Sequence, residues 1–280
     1  MIRMRAGRDL AVLLVMATVA HGPTASGSGS GEPLGRGSLV IVGGGGMPDD
    51  VRDKFMALAG GKRAKLVVIP TASQDADRGQ SRDEFLWAWR KYDPAGLVLL
   101  HTRSRDEADK AGFARPIAEA TAVWFSGGDQ RRLIDVYHGT KVEAEFRALL
   151  ARGGVIGGTS AGAAVMSGRM IRGGDPVAEV GEGFGFVGGV VFDQHFLKRN
   201  RANRLIGVLT QSPALVGIGI DEATALVLEG DRWSVLGKSF VVAIEVGKDG
   251  KPPRVETHGA GAHGKLPDSG MPIPDPAGNP

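Results

Sequence analysis

The five residues Gly158-Thr159-Ser160-Ala161-Gly162 constrain this chain more than any other stretch. They follow a short apolar run, Gly154-Val155-Ile156-Gly157, and lead into small helix-compatible residues, Ala163-Ala164-Val165-Met166. A G-x-S-x-G run between a strand and a helix describes a nucleophile elbow. The turn is so sharp that the positions flanking the serine must lack bulk, and Gly158 and Gly162 meet that need. Ser160 then stands at the carboxyl end of a strand, with the first N–H groups and the positive dipole end of a helix directed at it. That arrangement suits a serine hydrolase.

Strand and helix patterns alternate from residue 38 onward. Ser38-Leu39-Val40-Ile41-Val42 is a continuous apolar run stopped by four glycines, Gly43 to Gly46. The pattern predicts a helix over 49–58, a strand over 65–69 ended by Pro70, a helix over 84–92 and a strand over 96–100. A helix over 107–120, interrupted near Pro116, precedes a strand at 122–125 that Ser126-Gly127-Gly128 stops. Residues 130–150 read as helix with a turn at Gly139. Short apolar strands alternating with helices imply an α/β three-layer sandwich with a mainly parallel central sheet. In such sheets ligands bind beyond the carboxyl ends of the strands, which groups Gly43–Gly46, Gly127–Gln130 and Ser160 around one crevice. Behind the elbow the chain is richer in strand, with runs at 187–192, 215–220, 225–228, 233–236 and 240–246. Glu229-Gly230-Asp231 is a hairpin turn between two of them. Trp87 and Trp89 read as helix packing, and Thr71-Ala72-Ser73 as a helix cap or part of the rim.

With 280 residues the chain can bury one substantial core. It has no cysteine, which removes disulfides, thiolate catalysis and cysteine-based zinc sites together. No metal-ligand pattern and no cofactor motif is apparent. The net charge is +3, without a stripe of Lys and Arg interleaved with aromatics, so nucleic acid is a poor match. Arg3, Arg5 and Arg8 precede an apolar run over 10–17, followed by small residues with candidate cleavage sites at Thr18-Val19-Ala20 and Pro23-Thr24-Ala25. This is the order of a secretory signal peptide, and the run is too short to span a bilayer. Residues 1–25 are therefore expected to direct export to periplasm or medium. Residues 26–37 read as a flexible linker, 38–247 as the catalytic domain, and 248–280 as a Pro/Gly-rich, mostly disordered tail. The oligomeric state is not set by the sequence, and a homodimer stays open.

A serine nucleophile needs a base within hydrogen-bond reach and a carboxylate to orient that base. Of six histidines, His21 lies in the leader and His258 and His263 in the tail. His101 follows a strand, and His138 sits in a helix or turn. His195, inside Asp193-Gln194-His195-Phe196, falls at a strand end on the rim shared with Ser160. Glu222 ends another strand with Asp221 beside it, and spacing alone does not choose between the two acids. The order serine, histidine, acid differs from the α/β-hydrolase order, in which the acid precedes the histidine.

Four motifs in this order resemble the cyanophycinases. They are Gly127-Gly128-Asp129-Gln130; Gly157-Gly158-Thr159-Ser160-Ala161-Gly162-Ala163; Asp193-Gln194-His195-Phe196 followed by Arg199, Arg201 and Arg204; and Gly219-Ile220-Asp221-Glu222-Ala223-Thr224-Ala225. Cyanophycinases belong with the aspartyl dipeptidases in a serine peptidase family on a class I glutamine amidotransferase-like, flavodoxin-like fold. The resemblance spans about residues 38–246. It implies Ser160 as nucleophile, His195 as general base and Glu222 as the acid that holds the imidazole. It also implies an oxyanion hole from the N–H groups of Ala161 and the Gly127–Gly128 turn, and a substrate pocket of Gln130, Asp193, Gln194, Arg199, Arg201 and Arg204. The substrate it implies is cyanophycin, poly-aspartate with arginine on each side-chain carboxyl, cut to β-Asp-Arg dipeptides through an acyl-enzyme. Guanidinium forks match carboxylates bidentately, which gives the three arginines a mechanistic reading. Arg201 and Arg204 are spaced to share a helix face, with Arg199 on the segment entering it. An aspartyl dipeptidase acting on short Asp-containing peptides is the alternative, and a non-catalytic binding protein on the same fold a further one. The chain departs from the family in one place: Met47 and Pro48, not an acid, stand behind the first glycines, with Asp49 and Asp50 later. The spacing of Gly43 and Gly45 does not make a dinucleotide-binding fingerprint.

Overall fold

The structure, a computed structural model, describes residues 36–78, 81–247 and 252–266. The expected leader, nearly all of the linker and the last fourteen residues of the expected tail lie outside the described residues.

Along the chain, β1 (Ser38–Val42) leads to α1 (Asp49–Leu58), β2 (Lys65–Ile69) to α2 (Ser81–Arg90), and β3 (Gly96–Leu99) to α3 (Arg105–Ala108) and α4 (Ala111–Ala118). Next, β4 (Ala122–Phe125) leads to α5 (Gln130–Tyr137) and α6 (Lys141–Ala151), and β5 (Val155–Thr159) to α7 (Ala161–Ala164). A hairpin of β6 (Arg169–Gly173) and β7 (Glu179–Glu182) precedes β8 (Val190–Gln194), α8 (Ala202–Gln211) and β9 (Val216–Ile220). Then come β10 (Thr224–Glu229), β11 (Arg232–Gly237), β12 (Phe240–Glu245), β13 (Arg254–Gly259) and β14 (His263–Lys265).

Eight strands form the central sheet in the order β14-β11-β10-β1-β5-β4-β2-β3. The five from β1 to β3 in that order are parallel, and β10, β11 and β14 extend the sheet antiparallel. β1 shows why its sequence is continuously apolar. Leu39 and Ile41 enter the core on one face and Val40 and Val42 the core on the other, as a strand buried on both sides requires. One face is covered by α1 and α2, where Phe55, Trp89 and Trp124 meet ring to ring at 5.0–5.3 Å. On the other face Ile117, Leu133 and Phe146 from α4, α5 and α6 pack with Phe184 and Phe186. A second sheet, β13-β12-β9-β8, adds Phe192 and Ile218 to that core and covers its outer face with Leu205, Val208 and Leu209 of α8.

Four details differ from the sequence reading. The helix expected over 107–120 breaks at Asp109-Lys110, where Asp109 accepts the Lys141 N–H, and Pro116 sits inside α4. Trp89 packs as expected, but Trp87 is 68 % exposed. The hairpin β6–β7 falls where the sequence showed no strand pattern, because only Met170 and Ile171 of its residues are buried. Residues 252–266 are not loose: β13 pairs with β12 and β14 with β11. Those two strands are exposed sheet edges, so they need no apolar period and leave no trace in hydropathy.

Candidate active site

The elbow forms as its glycines dictate. Ser160, between β5 and α7, has φ 52° and ψ −108°, a conformation that costs a non-glycine residue of order 1–3 kcal/mol and clusters at active sites. A Cβ on Gly158 would meet the Gly162 carbonyl oxygen at 2.6 Å, and one on Gly162 would meet Phe125 Cβ at 2.6 Å. The strain is held in place by bonds on both sides of the residue. The Ser160 N–H donates to Val42 O at 3.0 Å, and the Ser160 carbonyl accepts from Ala163 and Ala164.

Strand pairing brings the other two groups to this hydroxyl. β8 and β9 are parallel with Gln194 opposite Ile220, so His195 and Glu222 leave neighbouring strands at the same end. His195 Nε2 lies 2.9 Å from Ser160 Oγ, and His195 Nδ1 lies 2.7 Å from Glu222 Oε1. Parallel pairing of β1 with β5 sets Val42 opposite Thr159 and carries the glycine run to the same place. That run seats both partners of the serine. Gly43 O accepts the His195 N–H at 2.6 Å and Gly44 O accepts the Ala223 N–H at 2.9 Å. A Cβ on Gly44 would sit 2.2 Å from the His195 ring, and one on Gly45 3.0 Å from Glu222 Cβ. The glycines leave room for an imidazole, not a pyrophosphate. The later acids are occupied elsewhere, Asp49 with Arg52 and Lys91 and Asp50 with the N–H groups of Val51 and Gly237.

The structure also separates the two adjacent acids. Glu222 meets the imidazole, while Asp221 accepts from the N–H groups of Leu197 and Lys198 and from the Ser239 hydroxyl. Burial works to raise the Asp221 pKa, and the bonds from Ser239 and from backbone N–H groups outweigh it and hold the carboxyl below its ordinary value. Asp221 thereby anchors the turn that presents Arg199.

His195 is held below its ordinary pKa, first by burial and then by the positive charges of Arg199 and Arg201, against the pull of Glu222. A neutral imidazole near pH 7 is the form that can accept a proton. The field of Arg199 can be read directly. Arg199→Gln removes a charge that disfavours the imidazolium, so the His195 pKa rises and the acid limb of kcat/KM moves to higher pH. Arg199 is exposed, so the displacement should shrink as salt is added. An acid limb that stays in place at low salt would show that this charge does not act on His195.

The remaining predicted residues divide. Arg204 is 4 % exposed and its guanidinium is already committed. Nε donates to Asp193 Oδ2 at 2.7 Å, Nη2 donates to Asp193 Oδ1, and Nη1 donates to Gly174 O at 2.8 Å. Arg204 and Asp193 therefore bind each other, and in this structure the Arg204 fork is filled by that carboxylate and by Gly174 O. Their pairing follows from burial, since a buried charge without a partner is costly. Gln130 Nε2 donates to the carbonyls of Ile171 and Arg172 and ties the β6–β7 hairpin to the site. Arg201, at the start of α8, donates from Nη1 to Gln194 O at 2.6 Å and lies 3.6 Å from Asp193. Burial and the neighbouring charges of Arg204 and Arg199 bring its pKa to about 10, so it stays a cation at neutral pH. Among the described residues, Gln194 Oε1 and Arg201 Nε are buried without a hydrogen-bond partner. Gly127 abuts Ser160: a Cβ there would be 3.5 Å from Ser160 Cβ. Ala161 is the first residue of α7, where N–H groups lack intrahelical partners. The described residues contain no group of side chains arranged to hold a metal ion and no helix long and apolar enough to cross a membrane.

The sequence pattern of peptidase family S51 matches residues 39–236, from the first core strand through all three residues of the hydrogen-bonded chain. The chain belongs to peptidase family S51. It is a serine-type peptidase. A cyanophycinase of Geminocystis herdmanii is 33 % identical over 238 residues, covering 80 % of this chain and 85 % of that one. A cyanophycinase of Trichormus variabilis is 34 % identical over 222 residues, covering 74 % of this chain and 72 % of the relative. The crystal structure of a peptidase from an acI-B1 Actinobacterium superposes with a TM-score of 0.64 at 27 % identity, over 82 % of this chain and 97 % of that one. The S51 membership and the mainly parallel sheet agree with the flavodoxin-like α/β fold expected from the sequence.

Proposed function

We propose that this S51 peptidase hydrolyses cyanophycin as an exopeptidase, releasing β-Asp-Arg dipeptides through an acyl-enzyme on Ser160. The observation that carries the reading is the unbroken chain Ser160 Oγ–His195 Nε2–His195 Nδ1–Glu222 beside the cationic segment 199–204. As Oγ bonds to the scissile carbonyl carbon, its proton passes to His195 Nε2, and Glu222 steadies the imidazolium. The carbonyl oxygen takes the negative charge and is met by the N–H groups of Ala161 and Gly128. When the C–N bond breaks, the proton moves from Nε2 to the leaving nitrogen. Water then repeats the sequence on the ester and frees the dipeptide with a new carboxylate. Arg199 and Arg201, with Arg204 neutralised by Asp193, leave net positive charge for a substrate carboxylate. Identity of 33–34 % to two proteins named cyanophycinase supports the substrate.

The test is mass spectrometry of what purified cyanophycin releases. β-Asp-Arg is expected as the only small product. Turnover of short α-linked Asp peptides with cyanophycin left intact would replace this reading with that of an aspartyl dipeptidase. Export belongs to the same proposal and rests on the order of charged, apolar and small residues at the N terminus. Mass spectrometry of the protein itself should find it outside the cytoplasm, beginning after Ala20 or Ala25. A chain retained inside the cell from Met1 would remove export and leave the hydrolysis standing.

A further inference from the structure

Three consecutive carbonyls beyond β2 are held by two different sets of donors. Thr71 O accepts from Arg103 Nη1, and Ser73 O accepts from Arg103 Nη2 at 2.7 Å. Between them, Ala72 O accepts from the Asp129 N–H at 2.9 Å and from Arg132 Nη1 at 3.2 Å. Arg103 is itself braced, because its Nε and Nη2 reach Asp77 Oδ2 at 3.1 and 2.9 Å. The other Asp77 oxygen lies 2.9 Å from His101 Nε2, and His101 Nδ1 lies 2.9 Å from Thr71 Oγ1. Thr71 Oγ1 also lies 2.7 Å from the Tyr137 hydroxyl. One closed polar circuit thus grips the peptides on either side of Ala72. The bonds from Arg103, and then those from His101, hold the Asp77 carboxyl down to about 2, so the brace stays anionic wherever the peptidase can be assayed.

What rests on Ala72 is the turn beside the nucleophile. A Cβ on Gly128 would meet Ala72 O at 2.1 Å and Ser73 N at 2.8 Å, and Gly128 has φ +139°. The same turn touches Ser160 through Gly127. Residues 127–129 are therefore pressed between the Ala72–Ser73 peptide and the nucleophile. The bond from the Asp129 N–H to Ala72 O fixes the planar Gly128–Asp129 peptide, and Gly128 Cα, packed against Ala72 O and Ser73 N, places the preceding peptide that carries the Gly128 N–H.

We infer that Arg103, braced by Asp77, is a positioning residue for the peptidase reaction: by fixing the carbonyls that flank Ala72 it fixes the turn whose Gly128 N–H meets the oxyanion. This rests on the oxyanion hole proposed above. Such a donor acts only when it stands at hydrogen-bond distance from the oxygen of the transition state, so a displaced turn costs rate and not substrate affinity.

The experiment compares the wild type with Arg103→Ala and Arg103→Lys for cyanophycin hydrolysis and for phosphonylation of Ser160 by a fluorophosphonate, which uses the same N–H donors. Arg103→Ala should lower kcat by about 10-fold to 100-fold with KM within about twofold. Phosphonylation should slow by a similar factor. Arg103, Asp77 and Arg132 line an open hollow of about 300 Å³, so added guanidinium ion can reach the vacated place and should restore part of the rate. Arg103→Lys keeps the charge and loses the fork, and should fall between the two. A folded Arg103→Ala protein with wild-type kcat and phosphonylation rate would overturn the inference. If that variant does not fold, wild-type rates in a folded Arg103→Lys protein overturn it equally. A wild type that leaves cyanophycin intact would sink the substrate reading, while the phosphonylation rates still decide the role of Arg103.

Discussion

Ser160→Ala should lower kcat on cyanophycin by about a million-fold while leaving the protein folded, since losing the nucleophile of a serine triad removes nearly all chemistry at once. The Ser160 side chain bonds to His195 Nε2 and to no other side chain among the described residues, so its removal deprives no other element of support. The fixed backbone at Ser160 is set by Val42 O, Ala163 and Ala164, through main-chain groups that alanine retains. Stability should therefore change by less than about 1 kcal/mol, within the usual range for substitutions away from core packing. Binding of a β-Asp-Arg product should persist, because the cationic segment 199–204 is untouched. Kinetics with purified cyanophycin, a thermal melt and a calorimetric titration with the dipeptide check the three parts. Appreciable turnover by Ser160→Ala would exclude the acyl-enzyme.

How much of this was legible in the sequence depends on which physical signal each residue leaves. β1, β2, β4 and β5 are buried on both faces, and such strands must be short unbroken apolar runs, so they stood out. Ser160 was legible because a steric rule, glycine on both sides of a tight turn, is written at fixed spacing. His195 followed from its place at a strand end, but the choice between Asp221 and Glu222 did not. Both acids follow the same strand, and the turn beyond it separates them: Asp221 accepts from Leu197, Lys198 and Ser239, while Glu222 meets the imidazole. The arginines show the limit from the other side. Three guanidinium groups in six residues look equivalent in sequence, yet one is consumed by Asp193 inside the protein. The edge strands β13 and β14 and the hairpin β6–β7 bury little on at least one face, so hydropathy carried no signal for them.

The glycine run beyond β1 makes the sharpest steric demand at the site. Gly44→Ala should lower kcat at least about 100-fold, because an imidazole displaced by even an ångström no longer meets the serine proton. Gly44 has φ +108°, a region that alanine seldom enters, and its added Cβ would stand 2.2 Å from His195 Cε1 and 2.5 Å from Nε2. Contact that close forces a shift, and the ring has little room to yield. Its backbone N–H is bonded to Gly43 O, its Nδ1 to Glu222, and its residue holds φ 51°. The movement must then open the Ser160–His195 bond or push the 43–46 loop outward. Gly46→Ala is the matched control in the same loop. Its Cβ would meet nothing within 4 Å, so activity should stay near that of the wild type. Circular dichroism separates a displaced ring from a lost fold, and the fluorophosphonate labelling rate reports the base directly. If Gly44→Ala folded and turned over cyanophycin like Gly46→Ala, the glycine run would be a spacer and not the seat of the catalytic imidazole.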